Sequence, residues 1–371
     1  MERSVVAFSS KSDYKDAFKE VLKTINSEKQ TPKLIVFFAE AADMWYYAAE
    51  FKKNFPEAVS VGSSTQMTIS SEGTKQKGLC ALAVFSGIEC ACGALYEVDR
   101  HPRNYILHVK SAMSQLSSLE NTCCLEFTNA FSKGEELVLD TFYVAFRDFN
   151  IPVIGGSSGN TDGSTRTIVA LNGDIFVNTC VFVLIKNLNG KIAIHKEHMF
   201  KPSKKIFTVT DVDCEDRIVY EYDHKNPAEV LSNALHVSMD GLPNVLSAHP
   251  MGRVMGDDIL VSEFENINYD GSISYFSQIY NYTKLVLMDQ DNLEEVWERS
   301  DSQIKSKIAS CSFAIIVNCK SRTDMFIHDN VLDKFVSNLK INLPNFICLS
   351  GFGEQYNRDN LNQTMVVLMF E

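Results

Sequence analysis

Several features that would identify common protein classes are absent from this sequence of 371 residues. No apolar run reaches the roughly 18 residues that a transmembrane helix needs. The first residues, MERSVVAFSSKSDYKD, lack the apolar segment of a secretory signal. We therefore expect a cytoplasmic protein that has no membrane partner.

A concentration of basic charge is also missing. The formal net charge is −12, and the lysines are scattered along the chain rather than clustered. Proteins that bind nucleic acids normally present a basic face to the phosphates. The charge pattern therefore predicts that nucleic acid is not a partner.

The ten cysteines form no C-x-x-C motif. Most of them lie inside apolar, strand-like runs such as GLCALAVF and FICLSG, where cysteine behaves as a small buried hydrophobe. Cys90 with Cys92 and Cys123 with Cys124 have spacings that suit zinc poorly. We predict no metal site.

What the sequence does contain is an internal repeat. The succession strand, helix, proline, strand, glycine-rich loop and strand occurs three times, with the loops opening at Gly62, Gly155 and Gly351. The short polar turns LNGD, KNLNGK and NYDGS are typical of antiparallel hairpins. The sequence therefore predicts an α+β fold of duplicated strand–helix–strand units, with mixed or antiparallel sheets covered by helices.

Local signals place some elements of this organisation. Residues 13–24 have the apolar spacing of an amphipathic helix with Ser12 as its N-cap, and ELVLDTFYVAFRDFN is interpreted as a strand followed by a helix. Asn226 is expected to cap a helix that has Pro227 in its first turn. Because periodicity is weakest after this point, we predict two modules, residues 1–225 and 226–371.

The glycine-rich stretch at residues 155–159 satisfies the nucleophile-elbow pattern G-x-S-x-G, with Ser157 as the serine. A nucleophile elbow requires a helix after the serine, whereas the segment TIVAL that follows Ser157 in this sequence is predicted to be a strand. A phosphate loop requires a lysine and a helix, and both are missing. Two interpretations stay open: an anion site built from backbone N–H groups, and a tight strand exit in which glycine relieves strain.

Histidines and carboxylates give weaker signals. His195 and His198 are expected to lie on opposite faces of a strand, so surface or hydrogen-bonded histidines are favoured over a metal pair. His249 alone is weak support for a haem ligand. The carboxylate pairs Asp257-Asp258 and Glu263/Glu265 match no hydrolase or metal-loop pattern, and we expect them to be solvated.

Arg322 and Glu354 lie beyond the C-terminal ends of two predicted strands, FAIIVNC and FICLSG. Ligands of α/β proteins tend to gather at such ends, and arginine binds carboxylates through two parallel hydrogen bonds. A structural ion pair between the two side chains explains the pattern equally well. Both interpretations stay open.

Motifs in the first half resemble the FIST sensory module. Val61-Gly62-Ser63-Ser64-Thr65 looks like its N-terminal G-C-S-T signature, and Ile154-Gly155-Gly156, with a later hairpin at Asn172-Gly173, is similar to its second glycine motif. Further matches follow along the chain: His198 with Pro202, Phe207-Thr208-Val209-Thr210, and Asn226-Pro227-Ala228. Their order is more specific than any one of them.

The second half is similar to the same family's C-terminal module. His249-Pro250-Met251-Gly252 resembles its H-P-L-G start, and Cys319-Lys320-Ser321-Arg322 its C-x-x-R turn. Ser350-Gly351-Phe352-Gly353-Glu354, followed by Asn362-Gln363-Thr364, resembles its closing motif. The resemblance covers the chain from about residue 30 to the end.

The resemblance implies a non-enzymatic sensor of bacterial or archaeal signal transduction. Its ligand would be an amino acid or a small carboxylate, and its partner a kinase, a chemotaxis receptor or a cyclic-nucleotide enzyme. We expect a stand-alone sensor or an excised N-terminal segment. The predicted ligand contacts are Ser63, Ser64, Ser157, Asn160, Arg322 and Glu354, with backbone donors near Ser63 and Ser157.

Two alternatives accompany this reading. One branch of the family binds haem and senses nitric oxide, which would make His198 or His249 a haem ligand. The chain departs from the family pattern at Met199, at Ser203-Lys204-Lys205 and at Ile259–Glu263, which weighs against haem and against an unchanged ligand specificity. The other alternative is a serine hydrolase that uses Ser157.

Overall fold

The computed structural model describes residues 3–256 and 258–371, so Asp257 of the Asp257-Asp258 pair lies outside the described residues. The chain forms two compact units. Unit 1 comprises the described residues up to Lys196, together with Arg299–Arg358 and Met365–Glu371. Unit 2 comprises Glu197–Glu298 and Asp359–Thr364. The boundary expected at residue 225 stays a sequence-based prediction.

Helices occur in both units. The α-helices are α1 (Tyr14–Ser27), α2 (Met44–Asn54), α3 (Ile106–Gln115), α4 (Glu135–Phe146), α5 (Pro227–Leu235), α6 (Leu293–Lys307), α7 (Lys320–His328) and α8 (Leu332–Asn342). Short 3-10 helices span Pro102–Tyr105, Met239–Asn244 and Leu246–Ala248.

Strands make up the larger share of the regular structure. Up to residue 198 they are β1 (Ser4–Ser9), β2 (Leu34–Ala39), β3 (Val59–Ser64), β4 (Thr68–Ser70), β5 (Gly73–Lys75), β6 (Leu79–Val84), β7 (Ile88–Tyr96), β8 (Thr122–Thr128), β9 (Val153–Ser157), β10 (Val169–Leu171), β11 (Asp174–Phe176), β12 (Thr179–Asn187) and β13 (Ile192–His198). The others are β14 (Phe200–Asp213), β15 (Ile218–Tyr222), β16 (Met251–Met255), β17 (Asp258–Ser262), β18 (Phe264–Ile267), β19 (Ile273–Tyr275), β20 (Lys284–Gln290), β21 (Phe313–Cys319), β22 (Phe346–Gly351), β23 (Gly353–Tyr356), β24 (Asp359–Leu361) and β25 (Thr364–Phe370).

Unit 1 contains three mixed sheets, and each is built around one parallel strand pair. Among the strands of unit 1, their orders are β1-β6-β2-β3-β10-β11, β23-β9-β8-β12-β7 and β13-β25-β21-β22-β4-β5. The parallel pairs are β2 with β3, β8 with β9, and β21 with β22. The strands that flank these pairs are antiparallel to them: β6 and β10, β12 and β23, and β25 and β4. A helical crossover joins the strands of each pair, as parallel neighbours require. The predicted α+β fold and threefold repeat are confirmed.

The repeats are interlocked because each one sends the segment that follows it into another repeat's sheet. We call residues 34–64, 122–157 and 313–351 repeat 1, repeat 2 and repeat 3. After repeat 1, β4 pairs with β22 of repeat 3. After repeat 2, β10 pairs with β3 of repeat 1, and after repeat 3, β23 pairs with β9 of repeat 2. The exchange therefore closes a cycle.

Helices cover the sheets through apolar contacts. Phe18 of α1 and Phe51 of α2 pack edge to face on the first sheet, with ring centroids 5.1 Å apart. Phe142 of α4 contacts Phe182 of β12 on the second sheet at 5.4 Å. Burial of such aromatic side chains contributes much of a fold's stability.

Unit 2 is an antiparallel sheet of order β17-β16-β20-β14-β15-β19-β18. Its two outermost strands, β17 and β18, are separated in sequence only by Glu263, so the sheet curls and leaves these two strands as its edges. Helix α5 and the 3-10 helices pack against the enclosed core through Leu231, Leu242 and Leu246. The predicted cap is confirmed, since Asn226 Oδ1 accepts a hydrogen bond from Glu229 N at 3.3 Å.

Some local predictions are wrong. Asp13, not Ser12, caps α1, because its carboxylate accepts hydrogen bonds from two first-turn N–H groups. ELVLDTFYVAFRDFN contains helix α4 and no strand, since its apolar residues face sheet and helix neighbours at helical spacing. The region after Gly62 is not one loop, because β4 and β5 form a hairpin within it.

Two of the three predicted hairpin turns are confirmed and one is wrong. LNGD joins β10 to β11 and NYDGS joins β18 to β19, and both connections are antiparallel hairpins. KNLNGK does not form a hairpin, because β12 pairs with β7 and β8 whereas β13 lies beside β25. A tight turn reverses the chain, but it does not decide which edge the next strand joins.

Candidate functional site

The three glycine-rich strand exits of unit 1 meet one another. The chain leaves β3, β9 and β22 at neighbouring positions, where a closed cycle of backbone hydrogen bonds connects the repeats. The bonds run from Gly159 N to Ser64 O (2.8 Å), from Gln66 N to Ser350 O (3.0 Å) and from Phe352 N to Ser157 O (3.0 Å). Backbone donors at these exits are therefore used within the protein.

Side chains and a glycine reinforce this cycle. Ser64 Oγ donates to Gly159 O at 2.7 Å and accepts from Ile168 N at 2.9 Å. A Cβ atom on Gly159 would lie 2.6 Å from Gln66 N, closer than real Cβ contacts come. Glycine is thus required at this exit by close backbone approach. The interpretation of the stretch as a tight strand exit accounts for these contacts.

The six predicted ligand contacts all lie in unit 1, and each is at most 2% exposed. They are Ser63, Ser64, Ser157, Asn160, Arg322 and Glu354. Asn160 Oδ1 accepts a hydrogen bond from Gly163 N at 3.1 Å, and its amide nitrogen contacts Ser164 O, so this residue shapes the loop before β10. A ligand role for the six residues stays a prediction.

Arg322 and Glu354 lie near a common buried group. Arg322 is in helix α7 rather than in a loop, and its guanidinium carbon is 5.6 Å from the ring centroid of Phe326. Glu354 is in β23, opposite Gly156. Burial raises the pKa of the Cys348 thiol, and the charges of Arg322 and Glu354 act on it in opposite directions. Both predicted residues therefore lie near Cys348.

Ser157 has contacts that suit structure better than nucleophilic catalysis. Its hydroxyl donates to Glu135 Oε1 at 3.1 Å and accepts from Gln355 Nε2 at 3.1 Å, and the residue is 1% exposed. The next regular element after β9 is strand β10. The helix that a nucleophile elbow needs does not follow the serine.

A buried carboxyl group near Ser157 was missed at the sequence level. Glu126 of β8 is fully buried, and burial raises its pKa from near 4.5 to about 7, partly offset by hydrogen bonds to its carboxylate. Oε2 accepts from Thr128 Oγ1 at 2.8 Å and from the Cys180 thiol at 3.4 Å. A charged residue inside the apolar run NTCCLEFT was the available signal.

An open groove of about 480 Å³ in unit 1 was also missed. We call it the Arg166 groove. It is lined by Asp99, Asn129, Ala130, Phe131, Ser132, Thr165, Arg166, Thr167, Val177 and Asn178. Its size lies within the roughly 300–1,000 Å³ typical of small-molecule sites. No sequence motif marks it, because its lining comes from four separate segments.

Asn129 holds two walls of the Arg166 groove together. Its side-chain nitrogen donates to Thr167 O at 2.8 Å, and its side-chain oxygen accepts from Thr179 N at 3.1 Å. Thr167 lies next to Ile168, whose N–H donates to Ser64, so the wall continues into the strand-exit cycle. The groove is therefore connected to the predicted position Ser64 through Thr167 and the hydrogen bond of its neighbour Ile168.

The lining of the Arg166 groove contains both charged and apolar side chains. Arg166 is exposed and, among the described residues, has no ion-pair partner. Asp99 is engaged, because its Oδ1 accepts from Asn178 Nδ2 at 2.8 Å and its Oδ2 lies 3.5 Å from Arg100 Nε. Phe131 and Val177 are 45% and 64% exposed. The free cation and the apolar side chains suit a small molecule that carries an anionic group.

The histidines do not line this groove. His195 is buried in β13 with Nε2 2.6 Å from Ser300 Oγ, which confirms the expected hydrogen-bonded histidine. His198 Nδ1 accepts from Phe200 N at 3.3 Å, and His249 Nδ1 lies 3.2 Å from both Met288 O and Asp289 Oδ1. Neither His198 nor His249 lines the Arg166 groove, and haem binding stays a prediction.

The cysteines are free thiols, and seven are buried. Within residues 3–256 and 258–371, no cluster of three or more His, Cys, Asp or Glu is arranged to hold a metal ion. No helix in the same part of the chain is long and apolar enough to cross a membrane.

Three helix-covered mixed sheets and a curled antiparallel sheet make this an α+β protein. The family model of the FIST N domain matches residues 33–225, and that of the FIST C domain matches residues 227–357. The chain therefore belongs to the FIST family, whose domains are sensory domains of signal-transduction proteins. No curated protein matches the sequence.

Proposed function

We propose that the chain is a sensor that binds a small carboxylate-bearing molecule, such as an amino acid, in the Arg166 groove. The observation that carries the proposal is a small-molecule-sized groove with an unpaired arginine inside the FIST N match. The guanidinium of Arg166 would bind the carboxylate through two parallel hydrogen bonds. Phe131 and Val177 would contact the apolar part of the ligand.

The same contacts suggest how ligand binding in the Arg166 groove would affect other parts of unit 1. A ligand held by Arg166 would order the loop of residues 158–168, which is already tied to Ser64 and Asn129 by hydrogen bonds. Binding can change a protein's behaviour only by favouring one of its states. Ser63, Ser64, Ser157, Asn160, Arg322 and Glu354 would then transmit or complete the response from the buried side of the loop.

The output partner would be a separate signalling protein. A histidine kinase, a chemotaxis receptor or a cyclic-nucleotide enzyme is the class that a prokaryotic member of the family would engage. This assignment rests on the family membership of the chain rather than on any contact described above. Neither haem chemistry nor hydrolysis by Ser157 is favoured by a specific observation.

A thermal-shift screen of amino acids and small carboxylates tests the proposal. A ligand present at about 100 times its Kd should stabilise the protein by roughly 2.7 kcal/mol and raise Tm accordingly. Arg166→Ala should lose most of that shift, whereas Arg103→Ala, which removes an exposed arginine outside the groove, should keep it. Equal shifts in both variants, or no ligand in the screen that stabilises the wild type, would contradict the proposal.

A further inference from the structure

The sheet of unit 2 ends on a short edge strand, β18, which carries a β-bulge but, in the part of the chain that the structure describes, no covering strand of the same sheet. Strand β18 is the last member of its sheet and pairs with β19 alone among the described residues. Asn268 N donates to Ser272 O at 2.9 Å, and Ile267 is opposite Ile273. Because hydrogen-bonded and non-bonded pairs alternate in antiparallel strands, the N–H and C=O of Ile267 point away from β19. They are available to another strand.

The opposite edge of the same sheet is treated differently. Strand β17 is approached by the segment Asp359–Thr364, and Asn362 N donates to Val261 O at 3.1 Å. Proteins commonly protect sheet edges with such a covering segment, with lysine or with proline. The four residues of β18, Phe264–Ile267, include no lysine and no proline. The contrast identifies β18 as the edge of unit 2 that can accept a strand.

A groove of about 220 Å³ runs beside this edge. Pro243, Leu246 and Ser247 form one side, and Glu263 with β18 forms the other. Leu246 and Phe264 are 6% and 8% exposed, so the floor is apolar. The groove is smaller than the roughly 300–1,000 Å³ of typical small-molecule sites, but it has room for a side chain of an extended peptide.

The charge beside the groove is negative. Glu265 is exposed and forms no ion pair within the described part of the chain, and Glu263 is the second carboxylate in the lining. A register shift between Phe264 and Asn266 makes Glu265 the extra residue of the strand. Pairing of two copies of β18 would bring like charges together, which is unfavourable. A basic partner segment is therefore favoured over a second copy of this chain.

We propose that β18 and this adjacent groove bind an extended segment of a partner protein by strand addition, a segment in which apolar side chains alternate with lysine or arginine. The backbone of the segment pairs with the outer edge at Ile267. Its apolar side chains enter the groove over Leu246 and Phe264, and its basic side chains lie beside Glu265. This interaction surface is independent of ligand binding in the Arg166 groove.

Fluorescence anisotropy with the full chain and a labelled eight-residue peptide of alternating valine and lysine tests this inference. We expect saturable binding at least about tenfold tighter than that of a valine–glutamate peptide. The valine–lysine peptide with every internal amide N-methylated keeps its charge but cannot donate hydrogen bonds, so its binding should be lost.

Two charge reversals in unit 2 provide the matched comparison. Glu265→Lys should weaken binding at least about tenfold, whereas Glu215→Lys, at an exposed turn position outside the groove, should not. The inference is overturned if the N-methylated peptide binds as well as its parent or if both variants weaken binding equally. A concentration-dependent dimer that Glu265→Lys abolishes, without peptide binding, would assign the edge to a second copy and overturn it as well.

Discussion

Repeat 1 and repeat 2 of unit 1 both have a glycine opposite a large side chain at equivalent positions of their parallel strands. The large side chain is apolar in repeat 1 and a carboxyl group in repeat 2. In repeat 1, Gly62 lies opposite Phe37. In repeat 2, Gly155 lies opposite Glu126. A Cβ atom on Gly62 would come within 2.6 Å of the Phe37 ring, and one on Gly155 within 2.5 Å of Glu126 Oε1. In both repeats the glycine leaves room for its neighbour.

The difference lies in what that neighbour contacts. Phe37 belongs to the apolar cluster under α1 and α2. Glu126 is equally buried but lies beside Thr128 and Cys180, and its pKa is raised to about 7. The comparison shows that the glycine of repeats 1 and 2 makes room for a bulky neighbour, and that this neighbour is a titratable group in repeat 2 where repeat 1 has an aromatic ring.

The largest effect is expected from filling the glycine sites. Gly155→Ala should lower the free energy of unfolding by about 3 kcal/mol or more, because the new methyl group would overlap the backbone oxygen of Glu126. Gly62→Ala meets only the Phe37 side chain and should cost about 1–3 kcal/mol. Urea unfolding measures both, with Gly241→Ala as a near-neutral control. A larger loss in Gly62→Ala than in Gly155→Ala would contradict the comparison.

A pH-dependent effect should follow from Glu126. Its pKa is near 4.5 when unfolded and about 7 when folded, so the folded state binds more protons between these values. The stability contributed by Glu126 is complete below about pH 4.5 and is lost as the pH rises, by about 3 kcal/mol up to pH 7 and above.

Urea unfolding of the wild type and of Glu126→Gln from pH 5 to pH 8 measures this contribution. The wild type should lose stability relative to the variant as the pH rises, because glutamine does not ionise. Glu57→Gln, at an exposed position, serves as the control and should follow the wild type. Parallel pH profiles for the wild type and Glu126→Gln would show that the carboxyl group does not titrate in this range.

A smaller difference is expected just beyond the two strands. Glu40 and Asn129 are equivalent, because each follows a residue whose carbonyl accepts a strand-exit N–H, from Thr65 to Ala39 at 3.0 Å and from Ser158 to Thr128 at 2.9 Å. Asn129→Ala leaves buried groups of Thr167 and Thr179 without their partner and should cost about 2 kcal/mol.

Glu40→Ala removes an ion pair with Lys77 at 2.9 Å, in which the lysine side chain is 59% exposed, and a hydrogen bond from Thr161 Oγ1 at 2.8 Å. Because the ion pair is exposed to solvent, this variant should lose less stability than Asn129→Ala. Urea unfolding of the two alanine variants compares them directly. Equal losses would mean that the Asn129 hydrogen bonds do not stabilise the walls of the Arg166 groove.

Much of the architecture was predictable because its signals are local. Strand and helix periodicities, together with proline and glycine positions, indicated three repeats and an α+β fold, and the family followed from motif order. Turn chemistry predicted two hairpins correctly but failed at KNLNGK, where the chain passes to another sheet. The Arg166 groove could not be predicted, because Asp99, Asn129, Arg166 and Asn178 are far apart in sequence and adjoin only after folding.

The sequence by itself determined the repeat, its strand and helix pattern and the family, because each depends on residues close together along the chain. Only the tertiary structure decided what the glycine-rich stretch at residues 155–159 does. Its backbone is hydrogen-bonded both within its own repeat, from Ser158 N to Thr128 O, and to the other two repeats, from Gly159 N to Ser64 O and from Phe352 N to Ser157 O. The physical reason is the exchange of hairpins among the sheets, which brings three distant segments into hydrogen-bonding distance.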